Sequence, residues 1–495
     1  MIPAFYLEIA VLVLGLVILL VDAFAEQIDK RLIAVAAIVG LGAVLLASFF
    51  LAPAPVVSPG VTGFWSFYTA DSLAIFFKRF ALVTTIFVLI MMIDYAPIVR
   101  STIHGVTAQA GLGEFFALPV FTCAGLMWMA SAVDFVMIFV SIELVTVSFY
   151  VLVSFTRRNP SALEAGVKYL ILSAVSTGFL VYGITWIFGV TGETNLDRVA
   201  AALTRPEIEQ APALFGMVLV MVALGFKIAA VPFQIWVPDV YQGAPTPVTA
   251  FLSVGSKAAG FVVLLRVLRP FFMMPQMERV LVAIAILTLI YGNLAALPQG
   301  NLKRLLAYSS ISHAGFLLIP VAVGTSLGGR ALLFYLISYA AMNVGAFAVV
   351  AARERELARP VTFDGLAGLG WERPGLGIAM SLFMFGFIGL PPAGLFLGKF
   401  YAFSAAVQRG WTWLAIVGVI ATVISIYYYA GVVGAMYFRR SIEVRLAPAG
   451  GSPPRDWALS ATVVAAVVVT IGSFVAAGPL LDVARDAVSS LGFPY

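Results

Sequence analysis

Long apolar stretches of about 20 residues follow one another along the chain, with short polar connections between them. Stretches of that length suit the roughly 30 Å hydrocarbon core of a bilayer. The pattern predicts an all-α, polytopic membrane protein, and we expect the first span to be a retained helix and not a cleaved signal peptide. The fourteen predicted spans are residues 4–24, 32–52, 72–95, 113–130, 134–155, 164–190, 212–235, 247–268, 279–298, 304–324, 330–351, 375–408, 411–437 and 457–480.

Proline interrupts two of these spans, the seventh at Pro232 and the twelfth at Pro391 and Pro392. Proline breaks a helix, and irregular backbone inside a membrane must be shielded from lipid by protein. The two broken spans are five spans apart, and an odd repeat length reverses the direction in which each half crosses the membrane. We therefore predict two inverted five-helix repeats with flanking helices. The predicted domains are 1–112, the first repeat 113–268, the second repeat 279–437, and the last span 457–480.

The composition excludes several kinds of cofactor and partner for this chain. Of 495 residues, 62% are hydrophobic and 11% are charged, whereas about a quarter are charged in soluble domains. One cysteine and two histidines allow no internal disulfide and supply too few ligands for an iron–sulfur cluster. We expect no cofactor, no metal and no nucleic-acid partner for this chain. NADH binding has no support either, because no GxGxxG motif follows a predicted strand.

The distribution of basic residues predicts the orientation. With the N-terminus outside, fifteen lysines and arginines, among them Lys303 and Arg353, fall in inside loops, and eight, among them Arg266, fall in outside loops. Because basic residues favour the cytoplasmic side, we predict that both termini are outside. The net charge of +5 is then explained without an acidic partner.

Several charged residues lie close to predicted span ends. Lys78 and Arg79 lie about two turns into the third span, and Lys168 begins the sixth. Long basic side chains at such depths can reach the membrane surface. We expect these three to do so, although participation of Lys168 in function is left open, and Glu8 near the start of the first span needs no special partner.

Four charged residues lie too deep for that explanation: Glu143, Lys227, Lys257 and Lys399. Glu143, nine residues into span five, lies roughly 14 Å deep, and a charge at mid-membrane costs at least about 2.5–3.5 kcal/mol. Burial favours the neutral form of an amine and a nearby carboxylate favours the charged form, so these groups could carry protons. Alternatively, Glu143 and Lys227 only hold two helices together. His313 is either a relay group or a hydrogen-bonded core residue.

Five segments together resemble a known family. The segment VPDVYQGAPTPVTAFLS is the most specific, and IELVTVSFYVL, EAGVKYLILSAVSTG, NLKRLLAYSSISHAGF and GLPPAGLFLGKFYAF follow in the same order and spacing. The chain resembles the antiporter-like subunits of the proton-pumping NADH:quinone oxidoreductase, respiratory complex I, over essentially its whole length. The lysine at position 399 resembles the residue that subunit N carries at the corresponding place, whereas sister subunit M looks to carry glutamate there. Sister subunit L differs by a long C-terminal extension.

The resemblance implies a role for each deep residue. Glu143 would modulate the charge of Lys227, the central proton acceptor; Lys257 and His313 would continue the lateral path, and Lys399 would be the terminal lysine. It also implies a bacterial inner-membrane location, with other membrane-arm subunits, a sister antiporter-like subunit, small membrane subunits and lipids as partners. FMN, iron–sulfur clusters and quinone would be held by other subunits of the complex.

Three other functions stay open at this point. A subunit of a multisubunit sodium/proton antiporter would share the buried lysines and the acidic partner. A stand-alone solute carrier should have a pocket with specific polar ligands, and the sequence shows no such cluster beyond the ionisable residues. A membrane scaffold would keep full pumping stoichiometry after replacement of Lys227.

Overall fold

The computed structural model describes residues 4–25, 29–53, 64–102, 112–271, 274–439 and 456–492, and within these ranges the chain is helical without β-strands. The helices are α1 (Tyr6–Phe24), α2 (Lys30–Ser48), α3 (Ser72–Thr102), α4 (Leu112–Ser131), α5 (Phe135–Val153), α6 (Pro160–Thr191), α7 (Leu196–Leu203), α8 (Gln210–Ile228), α9 (Trp236–Gly243), α10 (Thr246–Phe251), α11 (Lys257–Leu268), α12 (Pro275–Ala296), α13 (Leu302–Val323), α14 (Ser326–Leu357), α15 (Phe363–Leu366), α16 (Leu369–Glu372), α17 (Pro374–Ile388), α18 (Gly394–Gln408), α19 (Thr412–Phe438), α20 (Trp457–Val475) and α21 (Ala477–Ser489).

The predicted membrane spans are confirmed. Among the described residues, thirteen helical segments are long and apolar enough to cross a membrane. The remaining predicted span, the twelfth, is divided into α17 and α18, each 15 residues long. Neither half crosses a 30 Å core alone at 1.5 Å per residue, so the two halves together form one interrupted span.

Both predicted breaks are present, and each has a local cause. In the seventh span, α8 ends at Ile228, Ala229 adopts the left-handed conformation (φ 65°), and α9 starts at Trp236. In the twelfth span, α17 ends at Ile388, and Gly389 follows it with φ 92°. A left-handed residue closes a helix C-terminus and is unstrained only for glycine, so Ala229 holds a less favourable conformation than Gly389. The proline that follows in each break cannot extend the helix.

The eighth span contains an irregularity that the sequence pattern does not predict. Leu252–Ser256 forms a π-helical turn between α10 and α11. Such turns occur as single insertions in α-helices, frequently at functional sites. Lys257 is the first residue after this turn, so its position around the helix depends on the irregular backbone.

The most enclosed spans lie at the centre of the molecule. The most apolar 18-residue windows of Thr246–Phe271 and Leu302–Val323 are wholly buried, while those of α1 and α6 are mostly exposed. The outer helices therefore shield the central spans from lipid. The same central spans carry Lys257 and His313, which are 2% and 1% exposed.

Two short backbone bridges occupy corresponding places in the chain. Asp134, which caps α5, pairs with Asn195 in the connection after α6; Asn301, which caps α13, pairs with Thr362 in the connection after α14. Each cap side chain also accepts a hydrogen bond from the first turn of its helix, which satisfies a backbone donor that the helix leaves unpaired.

Candidate functional site

Lys227 lies in the last turn of α8, directly before the break, and is 4% exposed. Its Nζ donates a hydrogen bond to Thr146 Oγ1 at 2.6 Å, and that hydroxyl donates in turn to the Ile142 carbonyl of its own helix. The negative end of the α8 dipole also favours a cation here. The ammonium group is thus held by a neutral acceptor, the Thr146 hydroxyl.

Glu143 lies on α5 one turn before Thr146, and its carboxylate is half-buried. Glu143 Oε1 accepts a hydrogen bond from Thr177 Oγ1 at 2.6 Å, and among the described residues it makes no ion pair with Lys227 within 4.0 Å. The two side chains are linked indirectly, because Thr146, the partner of Lys227, lies one turn after Glu143 on the same helix. The structure therefore places Glu143 near Lys227 without the direct contact that would pin α5 to α8.

Lys257 is separated from Lys227 by one tight helix contact. A Cβ at Gly260 would lie 3.3 Å from Lys227 Cβ and 2.8 Å from Ile228 Cγ2. Gly260 is one turn after Lys257 on α11, so the missing side chain lets α11 approach α8 at the break. The close approach brings the two lysine-bearing backbones together.

Lys257 Nζ contacts the neighbouring α13. It donates to the Ser310 carbonyl at 2.5 Å and also to the Ser310 hydroxyl. Tyr339 OH lies 2.8 Å from Ser310 Oγ, and Tyr241 OH lies 3.4 Å from it. The buried amine therefore meets a cluster of hydroxyl groups on three other helices.

His313 is hydrogen-bonded through both ring nitrogens. Nδ1 lies 2.7 Å from Tyr335 OH, and Nε2 lies 3.0 Å from Tyr429 OH. Tyr429 OH is also 2.5 Å from Ser309 Oγ. A neutral imidazole donates through one nitrogen and accepts through the other, which is the arrangement that proton transfer through the ring requires.

The two hydrogen-bonded groups on α13 adjoin each other. Ser309 belongs to the His313 group and Ser310 to the Lys257 group, and they are consecutive residues. The ring of Tyr339, which contacts Ser310, also lies 5.1 Å from the His313 ring. The two groups therefore lie side by side along α13.

Lys399 lies on α18 and faces the C-terminus of α17, its partner half-helix. Nζ donates to the carbonyls of Phe387 at 3.1 Å and Ile388 at 2.9 Å, and it lies 4.2 Å from the centre of the Phe316 ring. The free carbonyls at a helix C-terminus stabilise a cation. The Phe387 ring lies 5.2 Å from the His313 ring, so Phe387 contacts both titratable side chains.

The hydroxyl groups near the site differ in what they bond. Ser309 bonds Tyr429 and so belongs to the His313 group, whereas Ser312 bonds Asn293, which in turn accepts from Tyr428. Thr249 and Ser253 instead bond to nearby carbonyls of their own segment. The sequence reasoning missed four buried tyrosines, and the four-residue spacing of two of them on α14 is the signal that could have indicated them. They are Tyr241, Tyr335, Tyr339 and Tyr429.

The expectation that Lys78 reaches the membrane surface is wrong. Lys78 and Glu8 are both fully buried, with Nζ 2.8 Å from Glu8 Oε1, and Lys78 also donates to Tyr68 OH at 2.6 Å. The expected depth of Lys78 was inferred from its position along α3 alone, and the sequence pattern does not show that α1 packs beside it. Lys168 is 41% exposed and pairs with Glu164 and Asp239, as expected for a residue near the surface.

Three basic residues counted in loops are buried in helices instead. Arg266 on α11 makes a two-pronged bond to Asp71, Lys303 on α13 lies 3.8 Å from Glu354, and Arg353 on α14 bonds Glu356 and Glu372. Arg266 lies near the end of the predicted eighth span itself, and α13 and α14 extend past the predicted tenth and eleventh spans to include Lys303 and Arg353. A carboxylate compensates each charge, and those beside Arg266 and Lys303 are themselves buried, so these residues carry no information about orientation.

The seven lysines of the chain differ in whether a carboxylate pairs with them. Within the described parts of the structure, four pair with a carboxylate and three do not. The paired lysines are Lys30, Lys78, Lys168 and Lys303. The others, Lys227, Lys257 and Lys399, are bonded to hydroxyls and carbonyls. A buried ammonium without a counter-ion is costly, and losing its proton relieves that cost.

The fold and the line of buried lysines define an antiporter-like membrane subunit. Residues 132–425 match the family model for the NADH:quinone oxidoreductase/Mrp antiporter transmembrane region. The chain is 42% identical to the NADH-quinone oxidoreductase subunit N of Trichlorobacter lovleyi over 88% of its own length and 87% of that protein. The chain therefore belongs to the subunit N family of NADH-quinone oxidoreductases.

Solved structures agree on the fold. A chain of respiratory complex I from Thermus thermophilus, determined with bound aureothin, is 29% identical and superposes with a TM-score of 0.77, covering 96% of this chain and 98% of that one. A chain of the Mrp complex from a Dietzia species superposes with a TM-score of 0.82 at 21% identity, covering 99% and 98%. The second likeness concerns the fold alone, because the sequence identity is low.

Proposed function

We propose that the chain is a membrane-arm subunit of a proton-translocating NADH:quinone oxidoreductase and carries protons through Glu143, Lys227, Lys257, His313 and Lys399. The observation that carries the proposal is the absence, among the described residues, of a carboxylate partner for the three buried lysines. The other lysines have one. Fixed ion pairs stabilise a charge, whereas a proton carrier must be able to lose it.

Each residue has a distinct part in the proposed path. Movement of Glu143 toward Lys227 favours the protonated lysine, and movement away favours release of that proton. Lys257 takes up a proton while Ser310 accepts its hydrogen bonds, and His313 passes a proton between two tyrosine hydroxyls. Lys399 receives it at the carbonyl end of α17. No bond to NADH or quinone is made in this chain.

The proposed organisation keeps two inverted repeats, 113–268 and 279–437, flanked by 1–112 and 457–480. The matching breaks in the seventh and twelfth spans support it. So do the two backbone bridges at corresponding helix starts. Glu143 and His313 would then be corresponding residues, as would Lys227 and Lys399.

We propose the remaining features on the strength of the family. The protein would lie in a bacterial inner membrane with both termini on the periplasmic side. Its partners would be the other membrane-arm subunits, including a sister antiporter-like subunit and small membrane subunits, with lipid around them. FMN, iron–sulfur clusters and quinone would belong to other subunits. Quinone reduction in those subunits would move charge along the membrane arm and thereby displace Glu143.

The test uses the assembled complex in proteoliposomes. NADH oxidation and proton uptake are measured together for the unmodified complex, for Lys227→Ala, and for a control in which a paired lysine is removed with its partner, Lys78→Met with Glu8→Leu. We expect the first variant to lose proton uptake and the control to keep it. Normal proton uptake per NADH in Lys227→Ala would contradict the proposal, and exchange of sodium for protons without NADH would favour a sodium/proton antiporter.

A further inference from the structure

A crevice unrelated to the buried lysines separates the N-terminal helices from the last ones. It encloses about 570 Å³ and is lined by the end of α2 and by α3, α14, α20 and α21. Ligand sites in proteins are typically about 300–1,000 Å³. Most lining side chains are aliphatic or aromatic, such as Phe76, Phe80 and Ile337. The crevice therefore suits an apolar group of substantial size.

The crevice opens on the outer surface of the helix bundle. Val83 on α3 and Val469 on α20 line it and are 39% and 38% exposed. Both lie on spans apolar enough to cross the membrane, so the opening lies along the length of membrane-spanning helices. An alkyl chain could enter sideways from the bilayer without crossing water.

One basic side chain lies in the crevice wall. Arg79 Nη2 donates to the Ser48 carbonyl at 2.8 Å, Nε donates to Ser48 Oγ at 3.2 Å, and the guanidinium lies 4.4 Å from the centre of the Phe49 ring. Among the described residues, Arg79 makes no ion pair with a carboxylate. Guanidinium has five N–H donors, so donors remain for an anion.

The position of Arg79 corresponds to the headgroup region. Ser48 is the last residue of α2, and Arg79 lies two turns after Ser72, the first residue of α3. Asp486 also lines the crevice, and its carboxylate lies 3.6 Å from Arg485 Nε. The crevice therefore joins a charged end near the membrane surface to an apolar interior.

We propose that this crevice binds a membrane glycerophospholipid, with one acyl chain between α3 and α20 and the phosphate on Arg79. Arginine binds phosphate through two parallel hydrogen bonds, and basic pockets between transmembrane helices bind lipid headgroups. An apolar helix of a neighbouring subunit would leave the guanidinium without an anion. The unpaired charge thus favours the lipid over a protein occupant.

The experiment uses the assembled complex reconstituted in nanodiscs that contain phosphatidylglycerol with a diazirine in its acyl chain. After irradiation, mass spectrometry locates the lipid adducts. We expect adducts on α3 and α20, at or beside Val83 and Val469. Ala465→Phe fills the crevice, and its matched control, Val464→Phe, adds the same ring to a neighbouring position that is 62% exposed and outside the crevice.

The variants separate the two parts of the proposed site. We expect Ala465→Phe and Arg79→Gln each to reduce the yield of lipid adducts about tenfold. For Arg79→Gln, this corresponds to the loss of one charge-assisted hydrogen bond. Val464→Phe and Arg409→Gln, a surface arginine on another helix, should leave them unchanged. The readout is independent of proton pumping, so its failure leaves the proposed function untouched.

Three results would overturn the proposal. Equal adduct yields in Ala465→Phe and Val464→Phe would remove the crevice as the site, and equal yields in Arg79→Gln and Arg409→Gln would remove the phosphate contact. Cross-links from a photoreactive residue at position 83 to another polypeptide, or to residues 54–63, in place of lipid would show a protein occupant.

Discussion

The buried lysines fall into two groups that differ in the partners of their ammonium groups. Lys78, near one end of α3, is fully buried against the equally buried carboxylate of Glu8. Lys227, Lys257 and Lys399 are just as enclosed but are held by hydroxyls and carbonyls. The first arrangement fixes a charge in place. The second leaves an ammonium group without a counter-ion, which on the proposed function loses and regains its proton. On that proposal the partners of a buried lysine, more than its depth, distinguish structure from transport.

The largest effect should come from breaking a fixed pair on one side only. Lys78→Met leaves the Glu8 carboxylate buried without a counter-ion, which costs about 3–5 kcal/mol. Removing both charges, Lys78→Met with Glu8→Leu, should restore most of that stability. Thermal inactivation of the assembled complex and its yield in the membrane provide the measurement. A single variant as stable as the double one would show that the pair is unimportant.

The next largest effect should come from the unpaired lysines. Lys227→Ala and Lys399→Ala should each lower coupled proton pumping about 100-fold, the lower end of what a positioned acid–base group contributes. Assembly should be unaffected, because no carboxylate loses a partner among the described residues. Quinone-reductase rate and proton uptake are measured in the same vesicles. Loss of assembly with normal specific pumping would assign these lysines to the structural group.

Glu143→Gln should have a smaller effect than Lys227→Ala. The Glu143 carboxylate makes no ion pair with Lys227 among the described residues and accepts a hydrogen bond from Thr177, so glutamine keeps that bond and loses only the charge. We expect about a tenfold fall in pumping, equivalent to about 1.4 kcal/mol. Glu143→Asp keeps the charge and should therefore recover part of the lost pumping. Equal pumping by the glutamine variant and the unmodified protein would remove Glu143 from the path.

The smallest effect should come from Tyr429→Phe. This change removes the hydroxyl that bridges Ser309 and His313 and keeps the ring that stacks on Phe387. One hydrogen bond is worth about 1 kcal/mol, so pumping should fall about fivefold. Tyr428→Phe is the control, because its hydroxyl bonds Asn293 instead. A matching loss in both variants would point to general loosening of the aromatic packing.

Sequence reasoning located the deep charges but not all their partners. Apolar length and proline positions are properties of one segment, so the spans and both breaks were predictable. The partner of Lys78 was not, because Glu8 lies on another helix and its position depends on how α1 packs. The tyrosines around His313 come from α14 and α19 and meet only in the folded chain.

The π-turn at Leu252–Ser256 has a consequence for how this segment tolerates change. A π-turn takes up one residue more than an α-helical turn, so Lys257 points about 100° away from where the same sequence would place it on an uninterrupted α-helix. Closing the turn to regular α-helix with all its residues retained would therefore aim Lys257 away from Ser310, although every side chain downstream would keep its identity. At this place, the hydrogen-bonding pattern of the backbone constrains the protein as strictly as residue type does.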